Sequence, residues 1–179
     1  MTSHPIGPIL FPAARIRGRI ATLARRIAAD HPGGDLEVVG ILRGSFMFLA
    51  DLARALHRRG ARVGIDFVAL ESYGSGTESS GSVRCTRDLS IDVRGRRVLL
   101  VDDILDTGRT LSFAAGMVAG RGAASVRTCV LLDKPARRVV PFHADYVGFT
   151  VDDIFVVGYG LDIDHRCREL PFIASVGPS

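Results

Sequence analysis

The chain has 179 residues, of which 47% are hydrophobic, enough for one well-buried domain and short for two. Its formal charge of +4 and pI near 9.4 suit an anionic small molecule, and the scattered Lys and Arg create no demand for nucleic acid. Cys85, Cys129 and Cys167 lie too far apart for a disulfide framework or a zinc site, and no apolar run reaches membrane length; we therefore expect a cytoplasmic, soluble protein with no membrane partner.

Ile16, Ile20, Leu23 and Ile27 recur at helical spacing among Arg15, Arg17, Arg19, Arg25 and Arg26, which predicts an amphipathic helix over residues 13–30. An Arg-rich start can also be a transit peptide, but His31-Pro32-Gly33-Gly34 closes the helix and leads straight into a strand over about 36–42. That strand delivers Arg43-Gly44-Ser45 to the sheet edge, ahead of a helix from about Phe46 to Arg58. A cation, a glycine and a helix N-terminus make a candidate anion site, although such a tripeptide alone is usually just a turn. A strand from Ile65 to Leu70 follows. Residues 71–82 are so rich in Gly and Ser that they cannot bury enough surface to hold one shape, and a stretch this long reads as a lid, with an inert surface loop as the alternative. Arg84 to Leu89 returns as a strand, and Asp92-Val93-Arg94-Gly95 turns the chain.

Residues 98–110 are the stretch around which the rest is organised. Val98-Leu99-Leu100-Val101 shows no alternation, the pattern of a strand buried on both faces of a parallel sheet, and Leu111 to Arg121 reads as the helix that crosses back over it. Ligands of such sheets gather beyond the carboxyl ends of the strands, and Thr107-Gly108-Arg109-Thr110 offers a phosphate backbone amides, two hydroxyls and a positive helix end. Asp102, Asp103 and Asp106 would repel a phosphate unless they address sugar hydroxyls, a divalent cation or a proton in transit, and a phosphorylated sugar supplies all three. The plainer use of these acids would be to end a strand and cap a helix. Neither G-x-x-x-x-G-K-[ST] nor a strand-to-helix G-x-G-x-x-G occurs. Ser125 to Leu132 predicts another buried strand, ending in Asp133-Lys134-Pro135. The last quarter carries two β-type segments, Ala144 to Phe149 and Ile154 to Asp162, which by pattern form a core-edge hairpin.

An apolar strand followed by Asp-Asp, two apolar residues and Asp-Thr-Gly-x-Thr resembles the phosphoribosyl diphosphate signature of the type I phosphoribosyltransferases. Leu42-Arg43-Gly44-Ser45, placed ahead of it, resembles the pyrophosphate loop of the 6-oxopurine members, usually Leu-Lys-Gly-Ser or Leu-Lys-Gly-Gly. The resemblance runs in order from about Ile9 to Val176. It implies an α/β fold, a parallel twisted sheet flanked by helices with a small hood made from the N- and C-terminal segments, in one domain over residues 1–179 with a mobile lid at about 71–84. The implied partners are phosphoribosyl diphosphate and a 6-oxopurine (hypoxanthine, guanine or both), with Mg2+ as cofactor and a homodimer or homotetramer as the assembly.

Residue roles follow from the same resemblance. Arg43, Gly44 and Arg168 would take the pyrophosphate, and Thr107, Gly108, Arg109 and Thr110 would cradle the 5′-phosphate. Asp102 and Asp103 would hold the ribose hydroxyls directly or through magnesium, which Asp162 would also contact. Asp106 is the candidate general base for a purine ring proton. Ser72 and Tyr73 would lie on the catalytic lid. Lys134 would donate to the exocyclic oxygen of the base, Phe155 would stack on its ring, and Val156 would offer backbone groups to its edge. The chain departs from the family pattern with Arg43 for Lys, Asp102 where Glu is common, and Ile163 and Cys167 in place of aromatics. A nucleotide-sensing regulator on the same scaffold is the reading from another class.

Overall fold

The computed structural model describes residues 6–33, 35–73 and 82–177. In chain order the elements are β1 (Ile6–Phe11), α1 (Ala13–Asp30), β2 (Asp35–Leu42), α2 (Phe46–His57), β3 (Arg62–Tyr73), β4 (Ser82–Arg87), β5 (Arg97–Leu105), α3 (Arg109–Gly120), β6 (Ser125–Asp133), the 3-10 turn η1 (Pro135–Arg137), β7 (Tyr146–Thr150), β8 (Val156–Val157) and β9 (Ile173–Val176). The central sheet runs β4-β3-β2-β5-β6-β7. All its pairs are parallel except β3 with β4.

Both faces of this sheet are covered, which is why β5 shows no alternation. Leu99 and Val101 pack with the inner faces of α1 and α2, whereas Val98 and Leu100 pack with Leu111, Ala114 and Val118 of α3. The expected α1 is present, with Ile16, Ile20, Leu23 and Ile27 buried. Its arginines act as fasteners. Arg15 lies over the stacked rings of Phe11 and Phe149, Arg19 over Phe149 and Arg26 over Tyr146, each guanidinium within 5.5 Å of a ring centroid. Helix, hood and sheet edge are joined there.

Three boundaries differ from expectation. Strand β5 continues to Leu105, so Asp102 and Asp103 are strand residues, held by pairing with β6; α3 accordingly opens at Arg109 instead of Leu111. The ends of the expected lid are paired strands, with Glu71, Ser72 and Tyr73 opposite Arg84, Val83 and Ser82, because backbone pairing overrides a polar composition. Residues 74–81, the body of that lid, lie outside the described residues.

The expected hairpin near the C-terminus is not formed. Strand β7 joins the edge of the central sheet beside β6, while β8 pairs with β9 in a second sheet of order β1-β9-β8, the hood. After β7 the Val151 N–H donates to the Asp133 carbonyl at 2.9 Å, and the chain then leaves for the hood. A short β-type segment marks a strand without telling which sheet it joins.

Two glycines test this packing with opposite signs. A Cβ at Gly148 in β7 would lie 2.4 Å from the Leu131 carbonyl oxygen, whereas one at Gly116 in α3 would meet nothing within 4 Å. Gly148→Ala should cost about 1–3 kcal/mol through overpacking, and Gly116→Ala should add about 0.5–1 kcal/mol through helix propensity. Urea midpoints measured at unchanged slope read both; shifts of the same sign would contradict the packing described.

Candidate active site

The site is assembled at the carboxyl ends of β2, β5 and β6. Strand β5 ends at Leu105 with its partner β6 ending at Asp133, and the Lys134 N–H donates to the Leu105 carbonyl at 2.9 Å. The two loops that follow are therefore held side by side. Gly108, at φ 87°, starts α3, and a Cβ there would sit 2.7 Å from the Val140 carbonyl oxygen; this turn needs glycine both for its left-handed backbone and for space. The carbonyl of Thr107 accepts from the N–H groups of Val139 and Val140, both at 3.0 Å. Arg138 donates to the Asp106 carbonyl and to the Asp133 carboxylate.

Asp102 is 6% exposed, and its Oδ1 accepts the Asp103 N–H at 3.0 Å. Asp103 Oδ1 in turn accepts the Ile104 N–H at 3.0 Å. Burial pushes both carboxyls above the usual carboxylate range, Asp102 the further because the charge of Asp103 adds to it; hydrogen bonds and the charge of Arg168 restrain Asp103. Gly44 is pressed against this pair, since a Cβ there would lie 1.6 Å from Asp103 Oδ2. The Leu42–Arg43 peptide bond beside it is cis.

Two cavities result. One of about 220 Å³ is lined by Arg43, Gly44, Asp102, Asp103, Asp106, Thr107, Gly108 and Thr110. A second of about 260 Å³ is lined by Lys134, Phe155, Val156, Leu161 and Asp162. Asp103 and Ile104 line both, so the two cavities meet across the end of β5. Lys134 is only 7% exposed, and its ammonium donates to the Ile154 carbonyl at 2.5 Å. Phe155 is 58% exposed, an apolar ring at the rim of the second cavity.

Most of the expected residues thus converge. Arg109 opens α3 behind the Thr107–Gly108 turn without lining either cavity, and Ser72 and Tyr73 end β3, beyond Leu70 of the first cavity. Arg168 stands back from both cavities. Its guanidinium donates to the Gly160 carbonyl at 2.6 Å and pairs with Asp162 Oδ1 at 2.7 Å. The other oxygen of Asp162 accepts the His165 N–H at 3.0 Å. Of the three carboxylates expected near a cation, Asp162 therefore already faces a positive charge, and the Asp102–Asp103 pair is where positive charge is most needed. Among the described residues no cluster of three or more His, Cys, Asp or Glu could hold a metal ion alone. Hard oxygen donors limited to one or two carboxylates suit an ion that keeps water and substrate phosphates as its other ligands.

Sequence reasoning passed over Arg137 and Arg138. Both look like ordinary surface arginines after a strand, and nothing in their spacing shows that both grip the loop carrying Asp106.

The raised carboxyl of Asp102 carries a stability consequence. Its protonated form is favoured in the fold, so stability is lost as pH rises through the folded value and is fully retained below the unfolded one. Asp102→Asn keeps an acceptor for the Asp103 N–H without the charge. We expect it to stabilise the ligand-free protein at pH 7 on the order of 1 kcal/mol, with the gain vanishing near about pH 3, below the ordinary value of 3.8. Thermal midpoints at the two pH values check this; destabilisation at pH 7 would contradict it.

Comparison with known proteins agrees with this geometry. The family described as phosphoribosyl transferase domain matches residues 11–164. The hypoxanthine phosphoribosyltransferase of Escherichia coli (strain K12) is 44% identical over 170 residues, 94% of each chain. A crystal structure of a hypoxanthine-guanine phosphoribosyltransferase from Bacillus anthracis superposes with a TM-score of 0.91 at 39% identity, covering 97% of this chain and all of that one. The hypoxanthine phosphoribosyltransferase of Trypanosoma cruzi, solved as a point mutant in a ternary substrates complex, gives a TM-score of 0.90 at 44% identity over 97% of this chain and 96% of the other. On the strength of the family match and of similarity over nearly the whole length, the chain belongs to the phosphoribosyl transferase domain family.

Proposed function

We propose that the protein transfers the 5-phosphoribosyl group from phosphoribosyl diphosphate to a 6-oxopurine, hypoxanthine or guanine or both, releasing pyrophosphate and forming IMP or GMP in purine salvage. The observation that carries this reading is the buried Lys134 ammonium in a cavity that shares its Asp103–Ile104 wall with the phosphate-turn cavity. An ammonium can donate to an exocyclic oxygen, and the ring of Phe155 offers a stacking face beside it. The names of the relatives point the same way, and no observation favours a regulator without turnover.

Displacement at the anomeric carbon leaves positive charge on the sugar and negative charge on the leaving pyrophosphate, so the protein must hold three fragments in line. In this reading Thr107, Gly108, Arg109 and Thr110 hold the 5′-phosphate, with the α3 N-terminus directed at it. Asp102 and Asp103 hold the ribose hydroxyls. Asp106 accepts the purine ring proton as the new bond forms. Arg43 and the backbone at Gly44 meet the pyrophosphate, while Arg168 adds positive charge behind Asp103. Lys134, Phe155 and the backbone of Val156 orient the base, and Ser72 and Tyr73 lead into a lid that excludes water. Mg2+ would be held by Asp102 and Asp103 with Asp162 beside them, and when bound it supplies positive charge against the phosphates. We further read the 179 residues as one domain of a cytoplasmic homodimer or homotetramer.

The test is to incubate the purified protein with Mg2+, phosphoribosyl diphosphate and a panel of bases, and to quantify pyrophosphate and nucleotide. Hypoxanthine or guanine should turn over, with adenine slower by about 10² or more, because an ammonium facing an exocyclic amine leaves a buried donor unmatched. Adenine turned over as fast as hypoxanthine would overturn the assignment.

A further inference from the structure

Three cations leave the short segment after β6 in three directions. Lys134 reaches the Ile154 carbonyl, Arg138 reaches the Asp106 carbonyl and Asp133, and Arg137 lies between Asp106, which lines the first cavity, and Asp153, two residues before Phe155 of the second. Arg137 Nε is 2.9 Å from Asp106 Oδ1, and its Nη1 donates to Asp153 Oδ1 at 3.3 Å. The Asp106 side chain as a whole is 37% exposed, yet its Oδ1 is fully shielded and makes no hydrogen bond of proper geometry. The accessible part of the carboxylate therefore includes Oδ2, and Arg137 covers the other oxygen through charge and proximity.

We propose that Arg137 is a positioning residue for Asp106: it holds the carboxylate by Oδ1 so that Oδ2 faces the base. The proposal rests on the transferase reading given above, in which Asp106 takes the purine proton. A carboxylate on a turn has two oxygens and a freely rotating end torsion, so a base with no partner would present either oxygen at many angles. A guanidinium fixed from a separate element removes that freedom. Asp153, on the segment that leads to Phe155, accepts from a second nitrogen of the guanidinium. The arrangement has the logic of a nucleophile or base oriented by a third group.

The plain alternative is a solvated surface ion pair. Arg137 is half-exposed, and such pairs contribute little to stability, so the two readings part in kinetics instead of melting temperature. If Arg137 acts through Asp106, Arg137→Gln should lower kcat about tenfold while leaving the thermal midpoint and the KM for phosphoribosyl diphosphate near wild type. Arg137→Lys, which keeps the charge without the fork, should recover part of that loss.

The deciding experiment is a double-mutant cycle with Asp106→Asn, measured as kcat with saturating hypoxanthine, phosphoribosyl diphosphate and Mg2+. Arg137→Gln should cost nothing further once Asp106 is replaced. The proposal is overturned if Arg137→Gln costs the same factor in both backgrounds, if its loss appears in KM for phosphoribosyl diphosphate instead of kcat, or if Asp106→Asn retains full turnover. In each of these cases an active wild type leaves the transferase reading standing. A wild type without turnover on any 6-oxopurine overturns both.

Discussion

Two adjacent carboxylates at the end of a central strand, Asp102 buried and Asp103 half-buried, are the constraint around which this molecule is arranged. Asp102 and Asp103 lose hydration and repel one another, an arrangement that costs stability until positive charge arrives. Their neighbours are shaped to tolerate them. Gly44 carries no side chain where Asp103 Oδ2 passes, and Gly160, at φ 102°, carries none where it meets the Gly44 carbonyl. Arg168 holds the Gly160 carbonyl and supplies charge to Asp103 from behind. A line of contacts thus runs from β5 through the Arg43–Gly44 loop into the hood. A ligand that brings cations and hydroxyls to this pair relieves a cost built into the ligand-free fold, and sites of function are where proteins retain such costs.

The second organising feature is the splicing of two loops. The segment after β6 donates backbone hydrogen bonds to the carbonyls of Leu105 and Thr107 at the turn after β5, and Arg138 closes the assembly through the Asp106 carbonyl and Asp133. A phosphate bound at the first loop and a base bound near Lys134 would then sit on one rigid unit. That is what an in-line transfer requires, because rate depends on holding both reactants at once.

Much of this was legible in the sequence, for identifiable reasons. The unbroken run Val98 to Val101 announced a strand covered on both faces, and helices on both sides of the sheet now account for it. The Asp-Asp-x-x-Asp-Thr-Gly-x-Thr order named the loop whose residues line the first cavity. What remained hidden depended on partners distant in sequence. β1 and β9 are short, and among the described residues β1 pairs with β9 and β9 also with β8; neither carries a pattern readable alone. The segments ending at Thr150 and beginning at Val156 are both short and β-type yet belong to different sheets. Arg137 and Arg138 drew no notice because their meaning lies in what they touch.

The central claim is that the end of β5 divides a phosphoribosyl cavity from a purine cavity and that Asp106 and Lys134 face the base across it. A crystal structure of the protein with Mg2+, phosphoribosyl diphosphate and an unreactive hypoxanthine analogue tests this most directly. The account predicts the 5′-phosphate on Thr107 to Thr110, a purine against Phe155 with Lys134 donating to its exocyclic oxygen, and Asp106 within hydrogen-bonding distance of a ring nitrogen. A purine bound away from Lys134, or one whose ring nitrogens all lie beyond the reach of Asp106, would contradict it.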